Sequence, residues 1–192
     1  MDNKQEFKRE SAIRIFAKEF NMTKYDMKPD TTDDKSPTFI ITPTGACANR
    51  VILSGIMTAK EKKTDKNVLY TGKINDNTGD FKITASHFNP AAQQQMAAIK
   101  ETPVFVTVVG KPSMYKREDG RIFVTVRVED IVVTDKVTRD LWILDTAKAT
   151  YDRLTLMEKG TDDWMNDVKT KYNTDISTFR SMAKNAVDTI VE

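Results

Sequence analysis

Residues 68–99 read VLYTGKINDNTGDFKITASHFNPAAQQQMAAI, and the fold turns on how this stretch is read. Apolar and polar residues alternate over Val68–Asn75 and again over Asp80–Phe88, which predicts two strands. Between them, Asp76-Asn77-Thr78-Gly79 supplies the short polar side chains and the glycine that a tight hairpin turn needs. Pro90 then opens a helix over the AAQQQMAAIK that follows, because proline suits a first helical turn; Pro103 stops it.

The flanks of this unit are also β-type. Arg50–Lys60 is rich in Val, Ile and Leu, with Gly55 at an expected bulge. Downstream, Val104–Gly110 and Arg121–Val133 read as strands, with a turn at Glu118-Asp119-Gly120 between them. Three strands, a helix and two strands is the order of the OB-fold, a five-stranded Greek-key barrel whose helix sits between strands three and four. An open five-stranded α+β sheet is the alternative. The expected class is therefore mainly β with helical flanks.

Residues ~4–20 have Phe7, Ile13, Phe16, Ala17 and Phe20 near a 3–4 spacing, which predicts an N-terminal amphipathic helix. Asn21–Pro37 is polar, ends in DTTDDKSP and reads as a mobile linker, followed by a short strand at Phe39–Thr42 and a turn at Pro43-Thr44-Gly45. After the barrel, Thr138 can cap a helix through Lys159, stopped by Gly160. Thr161 can cap a short helix carrying Trp164, Met165, Val168 and Tyr172; Asp175 can cap a third carrying Ile176, Phe179, Met182, Ala183 and Ala186. This divides the chain into a helix and linker (1–37), a barrel (38–134) and C-terminal helices for subunit assembly (135–192).

The near-neutral total of +2 over 192 residues hides a segregation of charge. Residues 50–128 hold 13 Lys and Arg against 7 Asp and Glu; residues 1–49 hold 8 of each, and residues 129–192 hold 9 against 13. A basic β-domain between neutral and acidic flanks points to a polyanion partner. The overall composition, 39% hydrophobic and 30% charged, is that of a soluble globular protein. No apolar run approaches the roughly 18–20 residues that span a bilayer, and MDNKQEFKRE has no hydrophobic signal region. A cytoplasmic, nucleoid-associated protein without a membrane partner is expected. The single Cys47 excludes an internal disulfide and a thiolate zinc cluster. His87, the only histidine, has no partner at metal-ligand spacing and reads as a polar strand end. No paired carboxylates or Gly-rich phosphate loop stand out, so no catalytic residue, metal or cofactor is expected and the protein reads as non-enzymatic.

Binding unpaired nucleic acid takes cations along the phosphates and aromatic faces under the bases. By alternation, Tyr70, Gly72, Ile74, Phe81, Ile83 and Ala85 face the barrel interior, leaving Thr71, Lys73, Lys82, Thr84, Ser86 and Phe88 outside. On the last strand Ile122, Val124, Val126 and Val128 point one way, Phe123, Thr125 and Arg127 the other. Two connections frame this surface: one carries Lys60, Lys62, Lys63 and Lys66, the other Lys111, Tyr115, Lys116, Arg117 and Arg121. The candidate DNA-binding residues are these loop residues with Lys73, Lys82, Thr84, Phe88, Phe123 and Arg127. A stripe of Leu141, Leu144, Ala147, Tyr151 and Leu154 is a second candidate surface, for helices of other subunits.

The segments TPTGACANRVILSGIMTAKE, LYTGKINDNTGDFKITASHFNPAA, VVGKPSMYKREDGRIFVTVRVEDI and TRDLWILDTA resemble the archaeal replication protein A-associated family. The similarity runs from about Phe16 to Tyr151, and Asn49-Arg50, Asp76-x-Thr78-Gly79 and Val109-Gly110-Lys111-Pro112 are its most specific pieces. Such proteins are OB-fold partners of the archaeal single-stranded-DNA-binding replication protein. They are similar to the middle subunit of the eukaryotic heterotrimer, whose C-terminal helix joins a bundle with the other subunits. The resemblance implies roles in replication, repair and recombination, and replication protein A-like partners held through Thr138–Lys159. Homo-oligomerisation and RNA binding stay open as alternatives. One departure stands out: where barrels of this kind often place an aromatic near the end of strand three, this chain has Ser86, with Phe88 two residues later.

Overall fold

The computed structural model describes residues 10–29, 36–64 and 67–191. Its N-terminal part contributes β1 (Ile13–Arg14), α1 (Ala17–Asn21), β2 (Tyr25–Met27), β3 (Phe39–Ile41) and β4 (Cys47–Ala48). Then come β5 (Val51–Lys63), β6 (Leu69–Asn75), β7 (Asp80–Ser86), α2 (Pro90–Ala98), β8 (Val104–Lys116) and β9 (Ile122–Val133). Helices α3 (Lys136–Lys159), α4 (Asp163–Tyr172) and α5 (Ile176–Val191) follow.

Strands β5 to β9 close into an OB-fold barrel. β5 pairs antiparallel with β6, β6 with β7, and β8 with both β9 and β5. The circuit is completed by parallel pairing of β7 with β9, Ile83 opposite Val126 and Thr84 opposite Arg127. This closure rules out the open sheet. The alternation in the sequence places the side chains as expected: Ile74, Phe81, Ile83, Ala85, Val124, Val126 and Val128 are buried inside. β5 serves β8 over Val51–Met57 and β6 over Ile56–Lys63, so it must coil as it passes from one neighbour to the other. The bulge lies between Met57 and Ala59 rather than at Gly55. Gly55 has a different task, since a Cβ there would collide with the main chain of Asn75.

Helix α2 plugs one end of the barrel with Ala92 and Met96, joined by Ile99 just beyond it. Its polar residues fasten it. The Asn89 side chain accepts from the Ala92 N–H at 3.2 Å and donates to the carbonyls of Val128 and Glu129 at 3.3 and 3.1 Å. Gln95 accepts from the Ile131 N–H at 3.2 Å.

The N-terminal helix is shorter than the periodicity predicts. Phe7 and residues 4–9 lie outside the described residues, but residues 10–16 are not helical and α1 spans only Ala17–Asn21. Strand pairing overrides the helical spacing here. β6 starts to pair with β5 only at Ile56, leaving the edge at Val51 and Ile52 free, and β1 fills it in parallel. Ile15, Phe16 and Phe20 are then buried over the barrel, with Phe20 stacked at 5.4 Å on Phe81. The β6–β7 turn holds α1 in place. Asp76 accepts from the Ala17 N–H at 2.7 Å, and from the Thr78 and Gly79 N–H groups of its own turn at 2.8 and 3.1 Å. Burial pushes this carboxyl up to about 6, against the pull of those donors. Within the stretch expected to be a linker, Tyr25–Met27 is a strand paired with β3, while the acidic segment 30–35 lies outside the described residues.

The C-terminal helices pack on the barrel of their own chain. Asp135, not Thr138, is the cap of α3, accepting from the Thr138 N–H at 2.8 Å. Trp142 donates to the Ile52 carbonyl at 3.0 Å and meets Phe16 edge-on. Leu154 shares one core with Phe179, Met182, Ala183 and Ala186 of α5 and with the barrel interior. Beneath α3, Glu19 of α1 is fully buried. Arg153 Nη2 donates to its two oxygens at 3.2 and 3.1 Å, the Phe16 N–H donates at 2.8 Å, and the Thr44 hydroxyl donates as well.

Removing one member of a buried pair leaves the other charged and desolvated. Glu19→Ala should therefore lower the unfolding free energy by about 3–5 kcal/mol, read by urea denaturation. Glu158→Ala breaks the exposed pair with Arg180 and should cost far less. Equal losses for the two variants would show that the buried pair anchors nothing.

Candidate nucleic-acid interface

The outer face of β6, β7, β9 and β8 carries a cross-strand ladder fixed by register. Lys73 stands opposite Lys82, Thr71 opposite Thr84, Thr84 beside Arg127, Arg127 opposite Lys111, Thr125 opposite Ser113, and Phe123 opposite Tyr115. Three depressions lie along it. The first, of about 290 Å³, is lined by Glu61, Lys63, Thr71, Lys73, Lys82 and Thr84. The second, about 570 Å³, is bounded by Leu69, Thr84, Phe88, Lys111 and Arg127. The third, about 390 Å³, uses Lys111 and Arg127 again with Asn49 and Ser113. Thr84 joins the first to the second, and Lys111 with Arg127 joins the second to the third. The result is one continuous trough.

Among the described residues, Lys63, Lys73, Lys82, Lys111, Arg117 and Arg127 form no ion pair. Lysines 73 and 82 face each other directly, an arrangement that repels unless an anion lies between them. Aromatics stand at the middle of the trough and beside it. Phe88 is 86% exposed in the turn before α2, its ring 4.0 Å from that of His87. Tyr115, 64% exposed, lies across from Phe123. Phe123 itself is engaged by cations, with Lys82 Nζ 5.7 Å and the Arg117 guanidinium 5.0 Å from its ring centre.

Other expected contacts go elsewhere. β5 extends to Lys63, so its lysines follow strand alternation instead of clustering in a loop. Lys63 shares the trough face with Thr71, whereas Lys60 and Lys62 take the opposite face, opposite Gly72 and Tyr70. Lys60 donates to the carbonyls of Met96 and Ile99 at the C-terminal end of α2. Lys62 lies 6.0 Å from the Tyr70 ring centre. Lys66 lies outside the described residues. Arg121 is held by Asp119 of its own turn at 2.7 Å, and Lys116 projects from the side of β8 opposite to Tyr115.

The structure also gathers residues that the sequence reading left out. β8 runs to Lys116, six residues past its expected end, which brings Ser113 onto the trough face. Pro112 had hidden this extension. Beyond Gly110, β8 has left β5 and pairs only with β9, so it is an edge where a missing N–H is tolerated. The small sheet β2–β3–β4 brings Asn49, Thr38 and Asp26 to the trough's third depression.

The partner stripe splits between two faces of α3. Ala147 and Leu154 are buried in the chain's own core, and Tyr151 packs against it while donating to the Arg180 carbonyl at 3.2 Å. Leu141 and Leu144 are 60% and 45% exposed. Among the described residues no group of three or more His, Cys, Asp and Glu is arranged to hold a metal, and no helix is long and apolar enough to cross a membrane.

No protein-family model matches the sequence, and no curated protein matches it significantly. Solved structures do. A replication protein A heterotrimer bound to ssDNA contains a chain 12% identical, covering 67% of this chain and 88% of that one, with a TM-score of 0.44. The mitochondrial single-stranded DNA binding protein of S. cerevisiae is 18% identical, covering 45% of this chain and 94% of its own, with a TM-score of 0.37. The second single-stranded DNA binding protein of Mycobacterium smegmatis is 17% identical, covering 48% and 90%, with a TM-score of 0.39.

Lys60→Met tests the reassignment of that lysine. It removes a charge-assisted cap from two helix carbonyls, worth about 1.5–3 kcal/mol. A loss of that order in thermal or urea unfolding is expected, whereas Lys63→Met should leave stability unchanged. Indifference to both changes would return Lys60 to the surface.

Proposed function

We propose that this chain is a non-enzymatic OB-fold subunit that binds single-stranded DNA along the trough, in an archaeal replication protein A-like complex serving replication, repair and recombination. The observation that carries this reading is the continuous line of cations that form no ion pair among the described residues, Lys63, Lys73, Lys82, Arg127 and Lys111, on one strand face. A polyanion threaded along the trough would relieve the repulsion between Lys73 and Lys82. Phe88 offers the face that Ser86 lacks, at the spot where Thr84 and Arg127 converge. The family resemblance of the sequence supports the choice of partner.

Labelled oligo-dT titrated by fluorescence anisotropy at two salt concentrations tests it. Affinity should fall steeply with salt as counterions are released. Lys73→Ala with Lys82→Ala should weaken binding and shallow the salt slope. Phe88→Ala should cost about 1–3 kcal/mol, one to two decades in Kd. No detectable binding even at low salt rejects an intrinsic DNA role. Competition with a matched RNA strand separates DNA from RNA preference.

A second reading, an assembly subunit with little DNA affinity, is favoured by Val137, Leu141 and Leu144. They are exposed at i, i+4 and i+7 on α3. Under it, Leu141→Glu with Leu144→Glu should abolish co-purification with replication protein A-like subunits, or dissociate a homo-oligomer in light scattering, and leave oligo-dT affinity intact. Unchanged assembly in that variant removes α3 as the contact.

A further inference from the structure

The trough's third depression sets a carboxylate that forms no ion pair among the described residues, Asp26, beside an amide, Asn49. It is closed on one side by the small sheet and on the other by the edge of β8, and its volume of about 390 Å³ falls in the range of small-molecule sites, about 300–1,000 Å³. Asn49, Thr38, Ser113 and Asp26 are among the residues that line it. Lys111 and Arg127 stand where it meets the second depression.

Asp26 is out of place in a phosphate channel. It is exposed on β2 opposite Ile40 and forms no ion pair among the described residues. A carboxylate there repels a passing phosphate. It is an acceptor, however, for the exocyclic amine of a nucleobase. Carboxylates accept from the amine of cytosine, and asparagine pairs with the donor–acceptor edge of adenine. Thymine offers no such amine.

Resting on the single-stranded DNA reading above, we propose that this depression is a base-reading subsite. It takes one unstacked nucleotide whose phosphate lies on Lys111 and Arg127. Asp26 and Asn49 select an amino-bearing base, with cytosine and adenine the ones whose edges these two side chains match, over thymine. Of the other carboxylates along the trough, Glu129 is held by Arg50 at 2.6 Å, and Glu61 lines the first depression beside Lys63 and Lys73 with no amide near it, so the preference is expected at the position over Asp26 and Asn49.

The test walks a single dC or dA through an otherwise uniform oligo-dT and measures each Kd by anisotropy. At one position the substituted strand should bind about tenfold more tightly than oligo-dT. Asp26→Ala should erase that preference while binding oligo-dT at least as well as the native protein, because it removes a negative charge from the channel. Asp26→Lys should tighten binding to every strand alike, and Asn49→Ala should reduce the preference. Normal oligo-dT binding with no preferred position overturns the subsite and leaves the function standing, as does a preference that survives Asp26→Ala. Failure of every strand to bind overturns both.

Discussion

The buried pair of Glu19 and Arg153 is the interaction that fixes how the parts of this chain fit together. Glu19 comes from a five-residue helix that cannot hold itself in water, and Arg153 from the last third of α3. Both carboxylate oxygens are occupied by a guanidinium, a main-chain N–H and the Thr44 hydroxyl. Any other docking of α3 leaves a carboxylate desolvated without a partner, at a cost comparable to a large share of a domain's stability. Hydrophobic burial supplies most of the free energy of this packing, but it is non-directional. The pair selects the one arrangement in which Phe16, Trp142 and Leu154 meet.

That selection has a consequence for assembly. A helix held along its own barrel by Trp142, Thr146, Thr150 and Leu154 has given up that face. The large apolar residues it still exposes are Val137, Leu141 and Leu144 near its start and Leu156 near its end, with Val132 and Val133 exposed at the end of β9. Under the proposed function, a contact made on the Val137–Leu144 stripe uses none of the residues that line the trough, so binding and assembly are expected to be separable.

The barrel was legible because a closed sheet with an apolar interior forces strict alternation, and β6, β7 and β9 obey it residue by residue. The helices and termini were less so. Leu141-Trp142-Ile143-Leu144 is apolar on every side of a helix, and the buried face also carries Arg139, Thr146 and Thr150, so periodicity alone chose the wrong register. Ile13 and Phe16 fit a helical spacing, yet a free edge on β5 claimed the first of these segments for a strand. Long-range pairing of this kind leaves no local trace. In the trough, Lys73, Lys82, Thr84 and Arg127 followed from alternation. Of the loop lysines, Lys63 and Lys111 reach the trough. Lys60, Lys62 and Lys116 do not, because the strands continue through both connections and alternation turns those three to the other face.

Strand geometry also explains why the trough is charged as it is. A loop can hold lysines apart, each solvated and free to turn away. A sheet cannot: register sets Lys73 and Lys82 opposite each other at the spacing of a cross-strand pair, about 4.5–5.5 Å between Cβ atoms. Their ammonium groups can splay, and Lys82 does so over the Phe123 ring, but the stems stay fixed. Repulsion of this sort costs stability in the free protein, and in the proposed function it is relieved when phosphates arrive. The cations are thus preorganised on a rigid surface, and less side-chain freedom remains to be lost on binding than if the same charges sat on mobile loops. Packing of the barrel core supplies the stability that offsets the cost, which is why the interior of β6, β7 and β9 and the charge on their outer face belong to one physical arrangement.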